Sequence, residues 1–277
     1  MYSLLIALFA GLLSGSLVRF ISLAAAGESK RGVVSVTWCV VIGCLVFIAV
    51  MIVISQIIRA RIKKVNARIQ QVMEEVQHKL MLKQNQFMRR PQGSPKAMMQ
   101  ALEKDQAAGL RLALDACEGF TPFFRWSPLL DRQAATMKMA FHYQLREFDK
   151  VDEYMKKCLF FDPQSVCMKL ARMYVNKDPS LDKFFKKKCS SYKEPACILP
   201  YALYSWILVK QERYEEALRV LVEAKKKTDN EVIVHNWELL ANKKYKNFSN
   251  AGLAESWYAL GLEEPKIQKQ QQVYRYR

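Results

Sequence analysis

AATMKMAFHYQLREFDKVDEYMKKCLFFDP, residues Ala134 to Pro163, carries two apolar stripes with a break between them. Ala140 and Tyr143 fall on one side of a first helix. Phe148, Val151, Met155 and Cys158 fall three or four apart on one side of a second, with the hinge at Leu145–Phe148. Pro163 closes the unit, because proline has no amide proton to carry a helix onward. Related phrases follow. Leu170, Ala171 and Tyr174 restate the first half, and Pro195 closes that unit. Tyr201, Tyr204, Ser205 and Leu208, then Tyr214, Ala217, Leu221 and Ala224, form the clearest copy, RYEEALRVLVEA in its second half, with Asp229 at its close. Trp237, Leu240, Phe248 and Ala251 make a fourth, ended by Pro265.

A first helix with a small residue and then an aromatic, a second with small, large, small, and a closing proline at a period of ~34 residues resembles the tetratricopeptide (TPR) repeat. The resemblance covers Leu129 to Pro265, with departures: no glycine occupies the usual first-helix position, and Lys183 stands where a small residue belongs. It implies an all-α chain ending in a TPR-like α-solenoid, whose concave surface comes largely from the first helix of each repeat and holds a peptide or helix of another protein. Carried onto this chain, the register puts Met137, Phe141, Gln144, Met168, Arg172, Trp206, Lys210 and Asn236 on that surface. These are apolar anchors among positive charges, so the resemblance implies a protein ligand with hydrophobic residues near acidic ones. Met137 and Phe141 stand where the family's carboxylate clamp has its polar residues, which argues against binding of chaperone tails. A register shift of about two to four residues would instead turn Phe141, Trp206 and their neighbours into the core.

Working back to the start, Tyr2 to Ala26 is apolar but for Arg19, and Val33 to Ile58 carries no charge. About 20 apolar residues span a bilayer as a helix, since lipid offers the backbone amides no other partner. Residues 1–58 are therefore expected to be a membrane anchor, with spans at about 2–26 and 33–58. Ala24-Ala25-Ala26 looks like a signal-peptidase site, yet no basic segment precedes the apolar run, and Arg19 interrupts it; an uncleaved hairpin fits better. Ala7, Gly11 and Gly15 recur on one face and permit close packing.

Arg59, Arg61, Lys63, Lys64 and Arg68 follow the second span directly, which by the positive-inside rule places everything beyond Ile58 in the cytoplasm and these five at the membrane surface. The expected setting is an integral protein of a bacterial inner membrane. Residues 59–95 read as a basic juxtamembrane helix and a linker, Pro91-Gln-Gly-Ser-Pro95. Ile58, Ile62, Val65, Ile69, Val72 and Val76 form a seam suited to a short coiled coil that pairs protomers, or to a helix lying on another surface. Residues 96–128 read as a helical and aromatic cap: Lys96 to Cys117 has helical spacing, and Phe120, Phe123, Phe124 and Trp126 of GFTPFFRWSP seal the first repeat. Residues 266–277 form a basic tail.

No phosphate loop, dinucleotide fingerprint, HExxH helix or nucleophile elbow is present, and the three histidines, His78, His142 and His235, lack ligand spacing. No enzyme activity, cofactor or metal is expected. Seven cysteines without CxxC pairs read as small apolar residues of a reducing compartment. The net charge of +17 favours acidic partners or an anionic membrane surface. Lysine runs at Lys186–Lys188 and Lys225–Lys227 lack stacking or groove-entering context, so nucleic acid is not expected. The paired acids Glu263–Glu264 read as solvated. The function that follows is a membrane-anchored adaptor or scaffold. The alternative is a structural subunit of a larger membrane complex, or a homo-oligomer, assembled through its spans and juxtamembrane helix. The layout is also similar to the HemY-type membrane TPR proteins associated with haem synthesis, without a shared motif to carry residues across.

Overall fold

The structure, a computed structural model, describes residues 2–26, 36–89, 94–127 and 129–265. All regular structure among them is helical. The chain divides into two compact units, Met1–Leu145 and Arg146–Arg277. The boundary falls inside the Ala134–Pro163 hairpin, so its two helices belong to different units.

The first unit contains α1 (Tyr2–Ala26), α2 (Val36–Arg89), α3 (Pro95–Cys117), a 3-10 turn (Glu118–Phe123) and α4 (Leu130–Gln144). Both α1 and the start of α2 are long and apolar enough to cross a membrane. They pair antiparallel through glycine: a Cβ on Gly11 would lie 2.8 Å from the carbonyl oxygen of Gly43, one on Gly43 equally close to that of Gly11, and one on Gly15 2.9 Å from that of Cys39. Only hydrogen fits there, and the backbones gain dispersion contacts that larger residues would forbid. The far end of α1 is tied down. The Tyr2 amide donates to the Arg125 carbonyl at 3.2 Å, the Ser3 hydroxyl to that of Trp126 at 3.2 Å, and Arg125 donates to the Tyr2 hydroxyl at 2.8 Å. The Tyr2 and Trp126 rings meet edge to face at 5.6 Å.

No break separates the apolar stretch from the basic one that follows. α2 is a single helix of 54 residues, about 80 Å long at the usual rise. Its seam is covered by the same chain. Ile62, Val65, Ile69 and Val72 pack with Leu110, Ala113, Leu114 and Cys117 of α3, Phe120 of the 3-10 turn, and Leu130, Ala134 and Phe141 of α4. Gly109 lets α3 approach so closely that a Cβ there would lie 2.2 Å from a Val76 methyl. Of the two uses the seam suits, the structure shows a helix lying on another surface; a coiled coil that pairs protomers through Ile62–Val76 would have to displace α3. The linker expected at 91–95 lies largely outside the described residues, and its end is helical: the Ser94 side chain accepts from the Ala97 amide at 3.2 Å, and Pro95 takes the first helical position, where a missing amide proton costs nothing.

The second unit contains α5 (Phe148–Met155), α6 (Pro163–Val175), α7 (Leu181–Cys189), α8 (Ile198–Lys210), α9 (Tyr214–Lys225), α10 (Glu231–Ala241) and α11 (Glu255–Tyr258). Pro163 both closes one repeat and opens the next helix, behind an Asp162 cap that accepts from the Ser165 amide at 2.8 Å. α8 is buried all round from Pro200 to Leu208 and touches α6, α7, α9 and α10, which makes it the core helix of the unit. The helices α6, α8 and α10 end alike: the Asp178, Arg213 and Lys244 amides reach back to the carbonyls of Met173, Leu208 and Leu239 at 2.9, 2.9 and 2.8 Å. Each closure puts the preceding residue, Lys177, Glu212 or Lys243, in the left-handed region at φ 52, 60 and 56°. That is the Schellman turn, usually given to glycine.

The fourth repeat departs from expectation. In place of a second helix around Phe248 and Ala251, the chain makes 3-10 turns at Tyr245–Asn247 and Ala251–Leu253 and then the four-residue α11. Asn250 is the reason. Its side chain is fully buried, donating to the Ala202 carbonyl at 2.8 Å and accepting from Asn236 at 2.8 Å, which fixes the backbone in a turn.

Candidate functional site

The five basic residues after the apolar stretch of α2 form an open surface. Arg59, Arg61, Lys63, Lys64 and Arg68 are all exposed, spread round the part of α2 that the seam leaves open, and among the described residues none is hydrogen-bonded or ion-paired. They encircle the first turns of α2 immediately beyond its apolar stretch. Each Lys or Arg held near an anionic leaflet contributes about 1 kcal/mol.

The eight residues assigned to the concave surface divide differently. In the first unit, Gln144 is exposed, while Phe141 is buried in the cluster with Ile69 and Leu110. Met137 is half-buried against the same cluster, its sulfur 3.7 Å from the Cys117 thiol. Phe141 is thus core, and the inward register holds there.

In the second unit, Met168 is buried in α6. Arg172 lies against the same unit: its guanidinium donates to both oxygens of Asp152 at 2.9 and 2.6 Å and covers the Phe148 ring at 4.7 Å. The hydrogen bonds from Arg172 are the main cause that holds the Asp152 carboxyl below its ordinary range. Asn236 is fully buried, donating to Asn250 and to the Ser249 carbonyl at 3.0 Å. Asn236 is a core amide, placed there because a helix and a turn both need a polar partner out of water.

Trp206 is 4 % exposed, covered by the Tyr174 ring of α6 at 5.5 Å and by the C-terminal stretch. Its indole nitrogen donates to Glu263 at 2.9 Å, the Trp257 indole donates to the other oxygen of Glu263 at 2.9 Å, and the two rings cross at 5.5 Å. Lys210 lies over the Trp206 ring at 5.0 Å and 3.8 Å from Glu263. The adjacent acids are therefore unlike: Glu264 is exposed, but Glu263 bridges two tryptophans. No periodicity signals that contact, because Trp206 and Glu263 are 57 residues apart.

Further acid–aromatic pairs surround α8. Tyr201 donates to Glu223 at 2.6 Å and Tyr204 to Asp182 at 3.0 Å, while Arg213 joins Asp182 at 2.7 Å to Glu216 at 2.7 Å. Burial first, and then the neighbouring carboxylate, raises both tyrosines above the ordinary phenol range. Hydrogen bonds from Arg213 and Tyr201 hold Asp182 and Glu223 low. A cavity of about 540 Å³ opens beside this network, lined by Tyr174, Lys177, Asp178, Asp182, Gln211 and Arg213. Of its charged groups, Asp182 is paired with Arg213 and Asp178 accepts from Ser180.

All seven cysteines are free thiols. Burial pushes Cys117 up to about 11 and Cys189 up to about 12, which keeps them protonated and unreactive. Among the described residues no three His, Cys, Asp or Glu side chains gather as a metal site would require. No family model, no curated protein and no solved structure matches this chain.

Proposed function

We propose that this protein is a non-catalytic adaptor, fixed in the membrane by α1 and α2, whose TPR-like hairpins bind a segment of another protein at the cytoplasmic face. The observation that carries the reading is α2 itself. One unbroken helix passes from an apolar stretch into a turn-by-turn array of free cations, and its far half is clamped by α3, so the anchor and the folded part of the first unit are mechanically one piece. Cations in that position favour the cytoplasmic leaflet. The repeat reading draws support from the common Schellman closure of α6, α8 and α10, which gives successive first helices the same exit direction. The seam that would serve assembly through the juxtamembrane helix is covered within the chain, which favours binding through the second unit over a purely structural subunit.

The test is affinity capture of the full-length protein from gently solubilised membranes, native and with Lys210→Glu, with bound proteins quantified by mass spectrometry and the fold of α6 to α10 checked by hydrogen exchange. A partner held by the native chain and lost from a variant that keeps its protection supports the adaptor. The same partners on both would move recognition to the membrane unit and sink the reading.

A further inference from the structure

The face of α8 that the repeat register reserves for a partner is filled by this chain's own residues, and the filler has the chemistry expected of the partner. Trp257 and Leu260 are 0 and 1 % exposed, Trp257 packs on Trp206, and Glu263 accepts both indole protons beside Lys210. These are a large aromatic, an aliphatic and a carboxylate set against an aromatic and a cation. The stretch has little structure of its own. It comprises one 3-10 turn, a four-residue helix and Ala254 at φ 48°, whereas an isolated helix needs about 12–15 residues to be even marginal in water. Its outer side, Ala251, Glu255, Ser256 and Ala259, is exposed, while Gly252 lies against Val232 of α10. A segment of this kind is ordered by the surface it lies on and is open to replacement by a competitor of the same pattern.

We propose that residues 251–265 are an internal ligand of the α8 face, and that the partner is a protein segment with the pattern Trp-x-x-Leu-x-x-Glu that displaces them. The partner's tryptophan takes the place of Trp257 against Trp206, and its glutamate takes that of Glu263 between the Trp206 indole and Lys210. The bound and free forms of this adaptor then differ in whether its own C-terminal stretch is docked. This inference rests on the adaptor reading and names the chemistry of its partner.

The probe is a fluorescent synthetic peptide of residues 251–265, AGLAESWYALGLEEP, titrated by anisotropy into the full-length protein in nanodiscs. Three chains are compared: native, Glu263→Ala, which frees both indoles, and Trp257→Ala. The apparent affinity of a site scales with the fraction of it that is open, so both variants bind the peptide at least about tenfold more tightly than the native chain does. A peptide lacking its tryptophan and glutamate does not bind. Hydrogen exchange on the same samples shows residues 251–265 losing protection while α6 to α10 keep theirs. The proposal is overturned if the variants bind no better than the native chain, if the altered peptide binds equally well, or if α6 to α10 lose protection along with the segment, which would make it a fixed part of the core. Because the peptide assay needs no natural partner, its failure is distinct from failure of membrane capture.

Discussion

The two units of this chain are both helical, yet they are held together by different means. In Met1–Leu145, beside the apolar cluster round Ile69 and Leu110, the closest approaches fall where a side chain is missing: Gly11 on Gly43, Gly15 on Cys39, Gly109 on Val76. In Arg146–Arg277, they meet where a side chain is large and has a polar tip, and an acid from another element answers that tip: Tyr201 with Glu223, Tyr204 with Asp182, Trp206 and Trp257 with Glu263. The strained backbone is distributed just as unevenly. Every non-glycine residue with positive φ among the described residues, from Arg146 to Ala254, lies in the second unit. Helices that meet at glycine gain dispersion contacts from close backbone approach, whereas short helices built round aromatic side chains must still satisfy their hydroxyls and indoles. The first unit should therefore be sensitive to volume added at its glycines, and the second to lost bulk and to charge, and hydrogen exchange resolved by unit can separate them.

The largest expected effect is in the second unit. Leu208→Ala, at a fully buried position in the core helix, should cost about 2–5 kcal/mol and lower exchange protection across α6 to α10 without touching α2 and α3. If α2 and α3 lose protection equally, the division into units is wrong.

Acid comes next. Asp152, Asp182, Glu216 and Glu223 are held below the ordinary carboxylate range in the folded state, so the unfolded chain takes up protons first as pH falls. The stability they contribute is complete above their unfolded values of about 4 and is lost as pH falls through that range and below it. At the other end, Tyr201 and Tyr204 are raised, so their contribution is complete below about pH 10 and disappears as pH rises beyond it. Thermal midpoints of the second unit should thus fall by several degrees at both extremes. Asp182→Asn should flatten the acid limb, and an unchanged limb would remove the network from the account.

Gly109→Ala tests the first unit. Alanine ordinarily favours a helix over glycine by about 1 kcal/mol, but a Cβ 2.2 Å from a stiff valine methyl should reverse the sign and cost about 1–3 kcal/mol. Adding Val76→Ala should restore most of the loss. Without that rescue, the close approach of α3 to α2 is not what Gly109 provides.

The smallest effect returns to the left-handed turns. Lys177→Gly, Glu212→Gly and Lys243→Gly should each stabilise the second unit by about 1 kcal/mol or less, because a Cβ no longer meets the following carbonyl. The sum should be close to additive, since the three turns belong to different hairpins. A loss at any one would show that its side chain contributes more than its backbone strain.

From the sequence came the helical class, the two long apolar stretches, the basic run from Arg59 to Arg68 and the hairpin stop at Pro163, whereas the left-handed turns at Lys177, Glu212 and Lys243 had no glycine to announce them. Those features arise from local spacing and composition, where neighbouring residues decide the outcome. It also showed which residues lie on one side of each first helix, but not what covers that side. Trp206 reads the same whether a partner, solvent or the chain's own Trp257 and Glu263 lies against it. Asn236 reads as a surface amide until Asn250 is brought to it, and the Ile62–Val76 seam as an open stripe until α3 folds back with Gly109 at the right height. Only tertiary structure decided these, because each depends on two stretches distant along the chain meeting in one register, and the free energy that selects that register belongs to the pair rather than to either stretch alone.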